Sequence, residues 1–232
     1  MRALVAAGYG INCEKEMAYA AALAGAKTEI RHVRELIDGN LRLNDYQLLM
    51  FPGGFSFGDE LGSGKALAGK LSSLVDKLHA FVAQGNSILG VCNGFQLLCK
   101  LGLLGQAALD HNLSGKFENR WVTVKACPSP SIFTQGLATL YLPIRHGEGR
   151  CLMKDCKTAL KYEPDCYPNN PNGSESGAAA LTDETGRILG MMPHPEAALF
   201  FTNRPDWTQH KHKCRQSGDG QLIFQNVARY YS

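Results

Sequence analysis

The pentapeptide Gly90-Val91-Cys92-Asn93-Gly94 sets a cysteine between two glycines in the pattern Gly-x-nucleophile-x-Gly. A side chain that attacks a carbonyl carbon must stand clear of its backbone, and a sharp turn from strand to helix lifts it above the sheet edge. That turn strains the nucleophile and brings strand and helix close together, so neighbours without Cβ atoms are needed. The following helix offers partial positive charge and N–H groups, which favour a thiolate and a nearby oxyanion. The bland alternative is a small apolar residue filling a tight junction, as most buried cysteines do.

A thiol near neutral pH is mostly protonated and needs a base. Of the seven histidines, His194 is the candidate, because Met192-Pro193-His194-Pro195-Glu196 fixes its backbone with a proline on each side. A proline-bent segment can hold Glu196 against one ring nitrogen while the other faces the sulfur, giving nucleophile, base and orienter. His146 is the rival base. It lies in His146-Gly147-Glu148-Gly149-Arg150, whose glycines suit a loop that brings backbone close to a ligand, so His146, Gly147 and Glu148 are assigned to substrate binding or docking.

Positioning these groups requires strands and helices in alternation. Ala3 to Ala7, Glu29 to Val33, Gln47 to Phe51 and Ser87 to Val91 read as short buried strands, each ended by a breaker or by the elbow. Glu14 to Leu23, about Leu67 to Val82, and Gly94 to Leu101 have helical period. Later strands are expected at Trp121 to Ala126, Tyr141 to Ile144, Ala178 to Thr182 and Arg187 to Met192, with a closing helix from Leu222 to Tyr231. Tyr162 to Gly177 reads as a long surface loop. The alternation predicts an α/β fold, a mainly parallel sheet with helices on both faces, in one domain spanning residues 1–232.

Composition narrows the partners. With 24 basic and 21 acidic side chains the formal net charge is only +3, which supplies no broad field for nucleic acid or membrane. The first apolar stretch meets Gly8 and Gly10 before a signal peptide or membrane span could form, so a cytoplasmic protein is expected. Eight cysteines at irregular spacings read as reduced thiols. His210-Lys211-His212-Lys213-Cys214-Arg215 lacks the paired ligands of structural zinc and reads as a solvated basic loop; no metal site is expected.

Several blocks resemble the triad-type, class I glutamine amidotransferases. Gly10-Ile11-Asn12-Cys13-Glu14 is similar to the family's first loop, Pro52-Gly53-Gly54-Phe55-Ser56-Phe57-Gly58-Asp59 to its second, and Gly90 to Gln96 to its elbow. His146-Gly147-Glu148-Gly149, Asn170-Pro171-Asn172-Gly173-Ser174 and Gly190 to Glu196 resemble the branch of glutaminase subunits that serve phosphoribosylformylglycinamidine synthases. The resemblance implies a flavodoxin-like, doubly wound sheet with the site beyond the strand C-termini. It implies Cys92, His194 and Glu196 as the catalytic triad, the N–H groups of Gly54 and Asn93 as oxyanion hole, and Phe55 and Gln96 as substrate contacts. It also implies glutamine as substrate and a larger synthetase subunit as partner, with a small accessory subunit as a further candidate. ATP and magnesium would act in that synthetase and no cofactor in this chain, which has no nucleotide-binding motif. The basic residue the family often has after its Pro-His-Pro-Glu block is replaced by Ala197-Ala198, the arginine it often has is missing from Leu61 to Lys65, and Phe200 to Gly220 is unlike the common pattern. A glutaminase serving another synthase and a non-catalytic regulatory subunit of the same fold remain as alternatives.

Overall fold

The computed structural model describes residues 1–55, 69–214 and 216–232. The expectations for Ser56 to Asp59, Leu61 to Lys65, the first two residues of the 67–82 helix, and Arg215 lie outside them.

Eleven strands and five α-helices are described. In chain order they are β1 (Arg2–Ala7), α1 (Glu14–Leu23), β2 (Lys27–His32), α2 (Val33–Ile37), β3 (Leu48–Phe51), α3 (Val75–Ala83), β4 (Ser87–Val91), α4 (Asn93–Lys100), β5 (Gln106–His111), β6 (Glu118–Ala126), β7 (Thr139–His146), β8 (Glu148–Lys154), β9 (Lys157–Tyr162), β10 (Ala178–Thr182), β11 (Ile188–Met191) and α5 (Gln221–Tyr230). Nine strands form one sheet in the order β2-β1-β3-β4-β11-β10-β9-β6-β7, and β5 and β8 pair separately. The first five are parallel to one another and the remaining four run antiparallel to their neighbours. The parallel order 2-1-3-4-11 is the flavodoxin-like, doubly wound arrangement.

Burial explains why the central strands are continuous apolar runs. Leu48 to Phe51, Ser87 to Val91 and Ile188 to Met191 are buried at every position, because the sheet is covered on both faces. The edge strand β2 differs: Lys27, Glu29 and Arg31 face solvent or pair there, which discourages another chain from adding to the edge. Helix α4 packs on β3, β4 and β11, and α1 lies beside α5. No helix among the described residues is long and apolar enough to cross a membrane. All eight cysteines are free thiols.

The structure corrects the sequence reading at several elements. Val33 opens helix α2 instead of ending a strand, because His32 caps that helix by accepting the Arg34 N–H while Glu35 accepts the His32 N–H. The segment expected to be one helix to Val82 is helical at residues 69–71, tightens to a 3-10 turn at Ser72–Leu74, and continues as α3. Strands β5, β8 and β9 were not expected, and the His146 block is no loop: only Gly147 separates β7 from β8.

Candidate active site

Parallel pairing brings the site together. Strands β4 and β11 are neighbours with Val91 opposite Met191, so the segments that leave their C-terminal ends emerge side by side. The Cys92 N–H donates to the Met191 carbonyl at 2.8 Å, and the His194 N–H to the Pro143 carbonyl of β7 at 2.8 Å. Residues about a hundred positions apart are thereby fixed to one rigid edge.

Cys92 stands between β4 and α4 with φ +52° and ψ −104°. An L-residue there carries strain of roughly 1–3 kcal/mol, retained only where the surroundings enforce it. Two glycines let them do so. A Cβ on Gly94 would sit 1.9 Å from the Phe51 carbonyl oxygen, and one on Gly90 would meet the Gly94 carbonyl oxygen at 2.7 Å. The expected elbow is therefore present, with its steric reason. The sulfur ends near the Arg145 carbonyl oxygen at 3.5 Å, above the N-terminus of α4.

His194 precedes a 3-10 turn, Pro195–Ala197, that carries Glu196 back toward the ring. Nδ1 of His194 and Oε1 of Glu196 are 2.6 Å apart, both side chains almost wholly buried. Burial alone works against a charged ring. The Glu196 carboxylate and the Cys13 and Cys92 thiols beside the ring together outweigh it, and His194 is held well above the ordinary histidine range. Among the described residues Nε2 has no completed hydrogen bond, so the nitrogen opposite Glu196 is without a fixed acceptor.

Cys92 and His194 line one pocket of about 150 Å³ with Asn12, Cys13, Gly54, Phe55, Phe117 and Arg145. Gly54 belongs to the loop after β3. That loop is clamped to the loop after β1 by Phe55 N–H to the Gly10 carbonyl at 2.9 Å and Asn12 N–H to the Gly53 carbonyl at 3.1 Å, neither of which uses the Gly54 N–H. A Cβ at Gly54 would strike the Gly10 carbonyl oxygen at 2.4 Å, so glycine permits this approach. Asn93 begins α4, and its side chain donates to Gln96 Oε1 at 2.9 Å. Phe55 is half exposed at the pocket rim, its ring 6.4 Å from that of Phe117.

The side chains of Gln96 and His146 are engaged within the protein. Buried Gln96 donates from Nε2 to the Glu148 carbonyl at 2.7 Å and accepts at Oε1 from Asn93 Nδ2, so its amide ties α4 to the start of β8. His146 is buried beneath the site. Its Nδ1 lies 3.0 Å from Asn112 Oδ1, which also accepts the Gly149 N–H, while Asn112 Nδ2 donates to the His146 and Lys116 carbonyls. Since that oxygen can only accept, Nδ1 of His146 carries the proton. Burial, followed by the neighbouring charge of His194, pushes His146 down to about 3. A ring kept neutral in this way holds backbone in place and is no rival base.

The pocket also holds residues that the sequence did not single out. Cys13 was visible only as part of a loop block. Arg145 sits beside the recognised His146, and Phe117 lies in a stretch with no periodic signal. Cys13 Sγ, a His194 nitrogen and a Glu196 oxygen lie within 4.8 Å of one another, the one metal-competent grouping among the described residues. A strained thiol, a buried imidazole with its carboxylate, and a glycine-lined approach are equipped for acyl transfer through a thioester.

Fold and site together define a glutamine amidotransferase. The family described as the CobB/CobQ-like glutamine amidotransferase domain matches residues 1–231, and the chain belongs to that family. The chain is 39% identical to phosphoribosylformylglycinamidine synthase subunit PurQ of Methanococcus maripaludis, over 100% of this chain and 97% of the relative. It is 39% identical to the subunit of the same name from Dehalococcoides mccartyi, over 95% and 94%. Among solved structures it is similar to a chain of PurLQS from Thermotoga maritima, with a TM-score of 0.82 and 31% identity over 100% of this chain and 99% of that one.

Proposed function

We propose that the chain hydrolyses glutamine to glutamate and ammonia and passes the ammonia to a synthetase subunit that converts formylglycinamide ribonucleotide to formylglycinamidine ribonucleotide. The observation that carries the reading is the buried 2.6 Å pairing of His194 with Glu196 beside a cysteine held at positive φ. In this mechanism the Cys92 sulfur attacks the side-chain amide carbon of glutamine. The resulting oxyanion is taken up by the Gly54 and Asn93 N–H groups, each such donor contributing on the order of 100-fold in rate. His194 gives its Nε2 proton to the departing nitrogen, ammonia leaves, and a glutamyl thioester remains on Cys92. Water then attacks the thioester while His194 takes its proton, and glutamate and the free thiol are regenerated.

Phe55 at the rim and the backbone around Gly147 and Glu148 are assigned to substrate or partner contact in this reading, with Gln96 as the strut that sets their position. The partner is an ATP-using synthetase, with a small accessory subunit as a further member, and the complex works in the cytoplasm. ATP and magnesium serve the partner, and this chain needs no cofactor. The names of the similar proteins, synthase subunit PurQ and the PurLQS complex, support a synthase subunit as partner.

The test is glutamate release from glutamine by the chain combined with its synthetase. Cys92→Ala is expected to lower it by about 10⁴-fold or more. A glutamine analogue bearing an electrophile should add its mass to the peptide that contains Cys92. An adduct on another cysteine, or a Cys92→Ala protein that still turns over, would overturn the site; hydrolysis without amidation of the ribonucleotide would overturn only the acceptor.

A further inference from the structure

Cys13, the residue ahead of α1, lies beside the His194 ring. A Cβ on Gly53 would be 2.8 Å from His194 Cε1 and 3.5 Å from both His194 Nδ1 and Cys13 Sγ, so ring and sulfur flank the same glycine. The three donor atoms of Cys13, His194 and Glu196 fall within 4.8 Å of one another. They come from two loops, one after β1 and one after β11, which the sheet holds in place.

A second observation concerns Glu196 alone. Its Oε2 is buried and has no hydrogen-bond partner among the described residues. Leaving a carboxylate oxygen in such a place is costly, and a cation would satisfy it. Thiolate, imidazole and carboxylate are the donors that zinc accepts, while magnesium and calcium prefer oxygen alone.

We propose that Cys13, His194 and Glu196 form a site for zinc whose occupation switches the triad off. Tetrahedral zinc with bonds of about 2.0–2.1 Å to nitrogen and oxygen holds those ligands about 3.3 Å apart. The 2.6 Å contact between Nδ1 and Oε1 must therefore open by under an ångström, with the ion in place of the proton they share and bound by both Glu196 oxygens, so that Oε2 is satisfied as well. The Cys13 thiol and the His194 Nδ1–H each release a proton on binding. Glu196 then no longer orients the ring. A metal charge on the imidazole also opposes the further proton that His194 needs to carry. The fourth position of the ion is left for water, as in zinc sites with three protein ligands.

The binding does not depend on the proposed function, whereas its inhibitory effect does, and the experiment separates the two. Zinc chloride is titrated calorimetrically into the full-length chain carrying Cys92→Ala, which removes the nucleophile's thiol from the reckoning. One zinc per chain is expected. Adding Cys13→Ala should weaken it about 100-fold or more, since even outer partners of a metal ligand are worth 10- to 100-fold. Adding His210→Ala and His212→Ala should leave it unchanged. Cys13→Ser keeps the shape and, with a melting curve to show an intact fold, must also bind zinc more weakly. No uptake by the Cys92→Ala protein, uptake indifferent to both Cys13 substitutions, or uptake lost with His210 and His212 would overturn the site. In the glutamine assay zinc should inhibit the wild-type chain and spare Cys13→Ala; equal inhibition of both overturns the switch. A wild-type chain without glutaminase activity would defeat the proposed function, and the calorimetry would still decide the metal site.

Discussion

Two imidazoles lie close together at the sheet edge. His194 is 3% exposed and His146 is 2% exposed, so burial treats them alike. One faces the Glu196 carboxylate at 2.6 Å, the other the Asn112 amide oxygen at 3.0 Å. The first is held well above the ordinary histidine range and the second is pushed down to about 3. Desolvation opposes an imidazolium at both: at His194 the Glu196 carboxylate, together with the Cys13 and Cys92 thiols, overcomes it, and at His146 the Asn112 amide does not. The charged ring can move protons. The neutral one serves as a fixed wedge beneath it, and its neutrality follows in part from the charge of the other.

The largest test of this contrast removes the carboxylate. Glu196→Gln leaves His194 with an uncharged acceptor like that of His146, and kcat should fall on the order of 10²- to 10⁴-fold. The alkaline limb of the rate profile should also move to lower pH, because the ring no longer holds its proton as tightly. A full-rate Glu196→Gln protein with an unmoved profile would break the comparison.

Acid stability gives the next effect. An unfolded histidine takes up a proton near 6.5, whereas folded His146 does so at about 3. Between those values the unfolded chain binds more protons, so the contribution of His146 is complete above pH 6.5 and is lost as pH falls toward 3. At full extent this amounts to about 5 kcal/mol. His194 acts in the opposite sense: its charge contributes below pH 6.5 and the contribution is lost as pH rises through its elevated value. Urea midpoints measured against pH should show a flatter acid limb in His146→Gln. An unchanged limb would mean that His146 is not held neutral.

The smallest effect sharpens the contrast. Asn112→Asp gives His146 a carboxylate in place of an amide oxygen, and imidazole NMR should show it titrating above 3, toward the ordinary histidine range. The variant also loses two donors, to the Lys116 and His146 carbonyls, so it should be less stable by about 1–3 kcal/mol.

Legibility follows the range of the interactions. The Cys92 elbow was legible because five consecutive residues contain the strain, the glycines and the helix start. Glu196 could be paired with His194 because a proline-bent tripeptide limits where a carboxylate can go. Strands β5, β8 and β9 were not legible: Gln106–His111 and Glu148–Lys154 lack clean alternation, and they are strands because they pair with each other across some forty residues. The role of His146 was hidden for the same reason, since Asn112, which fixes its tautomer, is 34 positions away.

By itself the sequence determined the parallel α/β core, the cysteine at its strained turn and the histidine-carboxylate pair, because each is encoded in hydrophobic period or in steric limits over a few residues. The tertiary structure alone decided that Cys13, Arg145 and Phe117 share the pocket, that Gln96 is a strut, and that one buried histidine is charged while its neighbour is neutral. Those outcomes depend on distances and fields between segments far apart in the chain, and the register of β4 against β11 sets them.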